Sequence, residues 1–178
     1  MSKSVILIPS RLSATRLPGK PLLKINGVSI ISHVVKKAKE ADIGEVYVAT
    51  EDKEILYDVH SRGGKAILTS NKHKTGSDRI FECFEKLDLK NIDYIINLQG
   101  DEPNMDINDL RHLNKLVEVN KPEMGTLASE IKDEYNLNNE NVVKVITKIK
   151  MTNNNFPIAL DFKRKLNNLN LNIYHHLG

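Results

Sequence analysis

Three stretches of this sequence concentrate side chains that hold or move charge. The first runs Pro9-Ser-Arg-Leu-Ser-Ala-Thr-Arg-Leu-Pro-Gly-Lys-Pro21 and carries Arg11, Arg16 and Lys20 in a loop stiffened by Pro9, Pro18 and Pro21. Guanidinium forks each grip two phosphate oxygens, and a lysine adds a compact charge, so the loop suits a polyphosphate. It is neither a dinucleotide fingerprint nor a P-loop: Gly-x-Gly-x-x-Gly is absent, and Gly19-Lys20 lacks both the upstream glycine and a following Ser or Thr. The second stretch, Thr75-Gly-Ser-Asp-Arg79, places a cation where it either reads the carbonyl of a base or makes a surface ion pair. The third, Gln99-Gly-Asp-Glu-Pro103, offers Asp101 for a magnesium ion bridging phosphate oxygens, or alternatively as a cap for the next helix. Gln99 is a neutral donor and acceptor for a sugar hydroxyl, a base edge or its own turn.

These loops need elements to hold them. Val5-Ile-Leu-Ile8 predicts a first strand, Val46 to Ala49 a second, Lys65 to Thr69 a third and Tyr94 to Leu98 a fourth. Asn26-Gly27 signals a tight turn, and Ser29 is placed to cap a helix bearing Ile31, Val34, Val35 and Ala38. A second helix is expected from Glu51 to His60. Thr75 and Asp78 have capping-box spacing ahead of Ile80, Phe81, Phe84 and Leu87, and a further helix is expected around Ile107 to Val119. Strand followed by helix, four times over, predicts a three-layer α/β fold with a mostly parallel sheet. Ligands of such sheets bind beyond the carboxyl ends of the strands, which brings the loops after the first and fourth strands together. Further strands are expected at Met124 to Ile131 and Val142 to Ile149, the latter with Lys144 and Lys148 alternating against Val143, Val145 and Thr147. Beyond Thr152 the periodicity fades.

The 178 residues suffice for one core, and the whole chain is expected to form a single domain. Hydrophobic residues make up 40% and charged residues 28%, an ordinary globular balance. The lone cysteine, Cys83, forms no internal disulfide, and no apolar run reaches the roughly 20 residues of a membrane span. A cytoplasmic location without membrane insertion is the expectation. Residues 1 to 40 carry eight Lys or Arg against the single acid Glu40, while the rest of the chain sums to −4 within an overall +3. That local excess suits an anionic ligand. No nucleic-acid motif accompanies it, so nucleic acid is not expected as the partner.

In this order the motifs resemble the 3-deoxy-manno-octulosonate cytidylyltransferases, also called CMP-Kdo synthetases. The likeness rests on Ile8 to Leu22, Thr75 to Arg79 and Asn97 to Pro103, extended by Asn141-Val-Val-Lys-Val-Ile146 and His176-Leu-Gly178. The resemblance implies a nucleotide-diphospho-sugar transferase-like, Rossmann-like core. It also implies transfer of CMP from CTP to Kdo with release of diphosphate, in lipopolysaccharide biosynthesis. By that resemblance Arg11, Arg16 and Lys20 bind CTP phosphates, Arg79 lies at the cytosine, Gln99 and His176 meet the sugar acid, and Asp101 holds Mg2+. Lys20 and Asp101 then carry the catalysis, and the enzyme is a homodimer. The chain resembles the amino-terminal part of such a protein, with the C-terminal part of the family domain absent. It departs from the pattern at Asn153 to Phe162, where the family has Tyr-Phe-Ser-Arg, and at His175, where an arginine is usual. A cytidylyltransferase for another acidic sugar such as sialic acid, and a non-catalytic CTP-binding or partner-binding remnant, are the alternatives.

Overall fold

A computed structural model describes residues 3–13, 17–166 and 171–177. Contacts divide the chain into two compact units, Met1–Asn114 and Lys115–Gly178.

The first unit is built on a parallel sheet of β1 (Ser4–Ser10), β4 (Gly44–Thr50), β5 (Ala66–Leu68) and β6 (Tyr94–Asn97), in the order β5-β4-β1-β6. Alternate side chains of a strand point to opposite faces, and both faces here are covered. Ile6, Ile8, Val46 and Val48 pack with Ile31, Val34 and Ala38 of α1 (Ile30–Glu40) and Ile55 and Val59 of α2 (Lys53–Ser61). Val5, Leu7 and Ala49 pack instead with Ile80 and Cys83 of α3 (Gly76–Leu87). Covering both faces explains why β1 reads as an unbroken apolar run. The expected three-layer, Rossmann-like α/β core is present.

Local signals act as their chemistry requires. A short hairpin, β2 (Lys24–Ile25) and β3 (Val28–Ser29), turns at Asn26 and Gly27, whose φ of 50° and 78° are the left-handed pair of a type I′ turn. Ser29 caps α1 through the Ser32 amide, and Thr75 and Asp78 form a reciprocal capping box on α3.

Helix α4 (Ile107–Asn120) follows β6 and runs across the boundary between the units. The second unit contains an antiparallel sheet of β7 (Ala128–Glu130), β8 (Lys144–Thr147), β9 (Ala159–Lys163) and β10 (Asn172–His176), ordered β7-β10-β8-β9, and the short helix α5 (Glu134–Asn138). Two expectations are corrected here. Strands β9 and β10 lie beyond Thr152, where no periodicity was legible. Lys144 does not alternate outward: it is fully buried, and its ammonium donates to the carbonyls of Asn139 at 2.6 Å and Arg164 at 2.8 Å. Bonding to two carbonyls supplies what burial removes from a cation.

Candidate active site

In the first sheet the strand order reverses at β1, which lies between β4 and β6. The crevice at such a reversal is where open α/β sheets bind ligands. A cavity of about 300 Å³ opens there, lined by Pro9, Ser10, Arg11, Lys20, Pro21, His73, Thr75, Gly76, Arg79, Gln99, Gly100 and Asp101. All three motif stretches therefore converge on one space of ligand size. Of the expected site residues, Arg11, Lys20, Arg79, Gln99 and Asp101 come together. Arg16 lies outside the described residues. His176 belongs to the second unit, where its Nε2 meets Thr126 Oγ1 at 2.9 Å and its ring packs edge-on against Phe162; burial lowers its pKa, helped by neighbouring His175.

The cavity floor is Pro9, at the end of β1, approached closely by two glycines. A Cβ on Gly100 would stand 3.0 Å from the Pro9 carbonyl oxygen and 3.2 Å from Ile31 Cδ1, and one on Gly76 would stand 3.3 Å from the Pro9 ring. The glycines of the second and third motifs thus favour close packing, letting both loops approach the first without a Cβ crowding Pro9.

The first loop is closed by the Gly19 amide donating to the Leu12 carbonyl at 2.9 Å, with Gly19 left-handed at φ 71°. Lys20 follows at once in a single 3-10 turn, Lys20–Leu22, and its ammonium donates to Asp101 Oδ2 at 2.6 Å. Both side chains are partly exposed, so the pair is accessible from solvent. Next to it, burial and the charge of Asp101 raise the pKa of Glu102, while Lys20 opposes them.

Arg79 forms part of the wall but is only 2% exposed. Its Nη1 donates to Thr69 Oγ1 at 2.6 Å and to the Ser70 carbonyl at 3.4 Å, and its Nη2 is ion-paired with Glu51. Both terminal nitrogens therefore have protein partners. Gln99 Nε2 lies 3.4 Å from Asn97 Oδ1, a long contact that leaves the amide open to a ligand.

Sequence reasoning did not foresee Ser10, His73, Glu51 or Asp52 here. His73 is paired with Glu82, which also accepts from Lys86 Nζ at 2.7 Å and the Ser70 amide at 2.8 Å. With Lys86 the largest cause, these donors hold the Glu82 carboxyl down at about 2. Ser10 bears the one buried side-chain polar atom without a hydrogen-bond partner among the described residues. The helix-cap pattern at Glu51-Asp52 was the only available signal for those two, and it pointed to α2 rather than to the loop.

Among the described residues no group of three or more His, Cys, Asp or Glu side chains is arranged to hold a metal. Magnesium does not demand one, since it keeps several waters and uses one or two carboxylates together with substrate phosphates. Asp101, at a cavity rim that also carries Arg11 and Lys20, fits that mode.

The cytidylyltransferase family model matches residues 5–177. A 3-deoxy-manno-octulosonate cytidylyltransferase of Nitrobacter winogradskyi is 44% identical across 82% of this chain, and the match spans 58% of that relative's length. One from Thermodesulfovibrio yellowstonii is 39% identical across 98% of this chain and 73% of its own. The solved structure of CMP:2-keto-3-deoxy-manno-octonic acid synthetase complexed with CTP superposes with a TM-score of 0.83 at 36% identity, covering 98% of this chain and 71% of that one.

Proposed function

The chain belongs to the cytidylyltransferase family, in its 3-deoxy-manno-octulosonate branch, and on that premise we propose that it transfers CMP from CTP to 3-deoxy-D-manno-octulosonate, releasing diphosphate. One observation carries the reading: a single cavity gathers Arg11, Lys20, Gln99 and Asp101 at the strand-order reversal. Arg11 and Lys20 bind the triphosphate and stabilise the charge that develops on departing diphosphate. The anomeric hydroxyl of the sugar acid attacks the α-phosphorus, the bond from that phosphorus to the bridging oxygen breaks to release diphosphate, and the hydroxyl proton passes to solvent. Gln99 orients the sugar acid, and Arg79 shapes the wall beside the base. Asp101 holds Mg2+, whose chemistry is to polarise phosphoryl oxygens and align the reacting groups. His176 is proposed as a contact of the sugar acid, and Arg16 as part of the phosphate loop. A cytoplasmic homodimer acting in lipopolysaccharide biosynthesis completes the proposal.

The test is diphosphate release in magnesium buffer with CTP and Kdo, set against CTP with sialic acid and ATP with Kdo. Release confined to the first mixture supports the assignment. Equal release with sialic acid removes the substrate assignment. A folded sample that binds CTP without turnover with any acceptor is a nucleotide-binding protein rather than a transferase.

A further inference from the structure

We propose that Asp52 is a positioning residue for the phosphate-binding loop, and that helix α2 forgoes its own cap to supply it. This inference rests on the CTP-binding role proposed for that loop. Asp52 occupies the N-cap position of α2 with extended backbone, φ −97° and ψ 121°. An aspartate there ordinarily accepts an amide from the first turn of its own helix. This one makes no such bond. Its Oδ2 instead accepts the amide of Leu12, forty residues earlier, at 2.8 Å.

Leu12 is where that bond has most effect. Its carbonyl accepts the Gly19 amide at 2.9 Å, so its backbone is held on both sides, by Asp52 and by the closing residue of the loop. The two ligand-facing cations, Arg11 and Lys20, directly adjoin Leu12 and Gly19 in sequence. The anchor is itself fixed, because the Asp52 amide donates to Thr50 Oγ1 at 3.1 Å and Thr50 pairs with Ser10 across the sheet. Glu51 strengthens the same junction: Ser13 Oγ lies 3.4 Å from its Oε1, and its other oxygen pairs with Arg79.

A carboxylate beside a site for a polyanion repels the ligand. Its presence is explained if it orders the cations that do the binding. A loop whose two ends are already held at Leu12 and Gly19 loses less conformational freedom when the nucleotide arrives. A hydrogen bond to a charged acceptor is worth enough to change affinity by roughly tenfold or more.

The experiment compares the full chain with Asp52→Ser and Asp52→Asn, using calorimetric titration of CTP with magnesium, thermal melting, and amide hydrogen exchange at Leu12 and Gly19. Serine caps α2 but is too short to reach Leu12. We expect D52S to melt close to the wild-type midpoint, the new helix cap offsetting the lost bond to Leu12, to bind CTP roughly tenfold more weakly, and to exchange both amides faster. Asparagine presents an oxygen in the same place, so D52N should bind CTP within about threefold of wild type, since the neutral acceptor loses only part of a charged bond. The proposal is overturned if D52S binds CTP like wild type, if D52N is as weak as D52S, or if D52S melts well below wild type. A wild-type chain that does not bind CTP refutes the functional reading instead, and the exchange rates then decide the mooring of Leu12 by themselves.

Discussion

Lys20 and Asp101 come from loops eighty-one residues apart and meet at 2.6 Å. Each lines the cavity and each neutralises the other, so removing either exposes its partner as well as losing the nucleotide contact proposed for it. We therefore expect Lys20→Ala and Asp101→Asn each to weaken CTP–magnesium binding by at least about tenfold, the scale of a charged hydrogen bond. The double variant should lose less than the sum, because contacting residues couple. Calorimetry on the four proteins completes that cycle. Glu82 offers a test by pH. Its carboxyl is held at about 2 against an ordinary 4.5, so its contribution to stability is complete above 4.5 and is lost as pH falls toward 2. Wild type should therefore be more stable than Glu82→Gln at neutral pH, with the difference shrinking between those values in urea titrations. A difference independent of pH would mean that its bonds to Lys86, Ser70 and His73 do not favour the ionised carboxylate over the neutral acid.

Among the elements, α3 starts at the cavity, which Thr75 and Gly76 line. Thr75→Ala removes the hydroxyl that accepts the Asp78 amide, leaving only the Thr75 amide's own bond to the Asp78 carboxylate, and should cost about 1 kcal/mol, read as a lower midpoint in thermal melts. Gly100→Ala should cost about 1–3 kcal/mol by overpacking, because a Cβ would stand 3.0 Å from the Pro9 carbonyl oxygen and 3.2–3.3 Å from Ile31 and Ile8, which must give way by a few tenths of an ångström. It should also weaken CTP binding by displacing the cavity floor. The first unit was largely legible in the sequence because its signals are local: apolar runs for β1 and β4, Asn26-Gly27 for the hairpin, Ser29 and Thr75 for the caps. The second unit was much less so. Lys144 is buried because carbonyls of Asn139 and Arg164 converge on it, and that convergence arises only once the sheet is assembled. Strand β9 alternates Leu160 and Phe162 with Asp161 and Lys163, but over only five residues, too short a run to stand out from the polar sequence around it. At the site, residue types revealed Arg11, Lys20, Gln99 and Asp101. Asp52 remained hidden because the same residue in the same local context predicts an ordinary helix cap.

At the scale of the whole molecule, no helix among the described residues is long and apolar enough to cross a membrane. The net charge of +3 conceals the basic first forty residues, and Arg11 and Lys20 bring part of that excess to the cavity. CTP association should therefore slow as salt rises, because screening shortens the reach of these charges to about 8 Å near physiological ionic strength. Stopped-flow association rates across a salt series check this. The proposed homodimer is checked by light scattering at the concentrations used for those rates. The Lys20–Asp101 pair makes the salt response depend on what the nucleotide carries. A triphosphate chelating a divalent ion presents an anion to Lys20 and a cation to Asp101, so entry is an ion exchange in which every charge finds a new counterpart. A bare triphosphate takes the lysine and strands Asp101 beside its own oxygens. On the role proposed for Asp101, the cavity would sort nucleotides by charge parity as well as by shape, admitting the chelate and penalising the free anion. Chelator-treated CTP should bind more weakly than CTP with magnesium, as calorimetry reads directly.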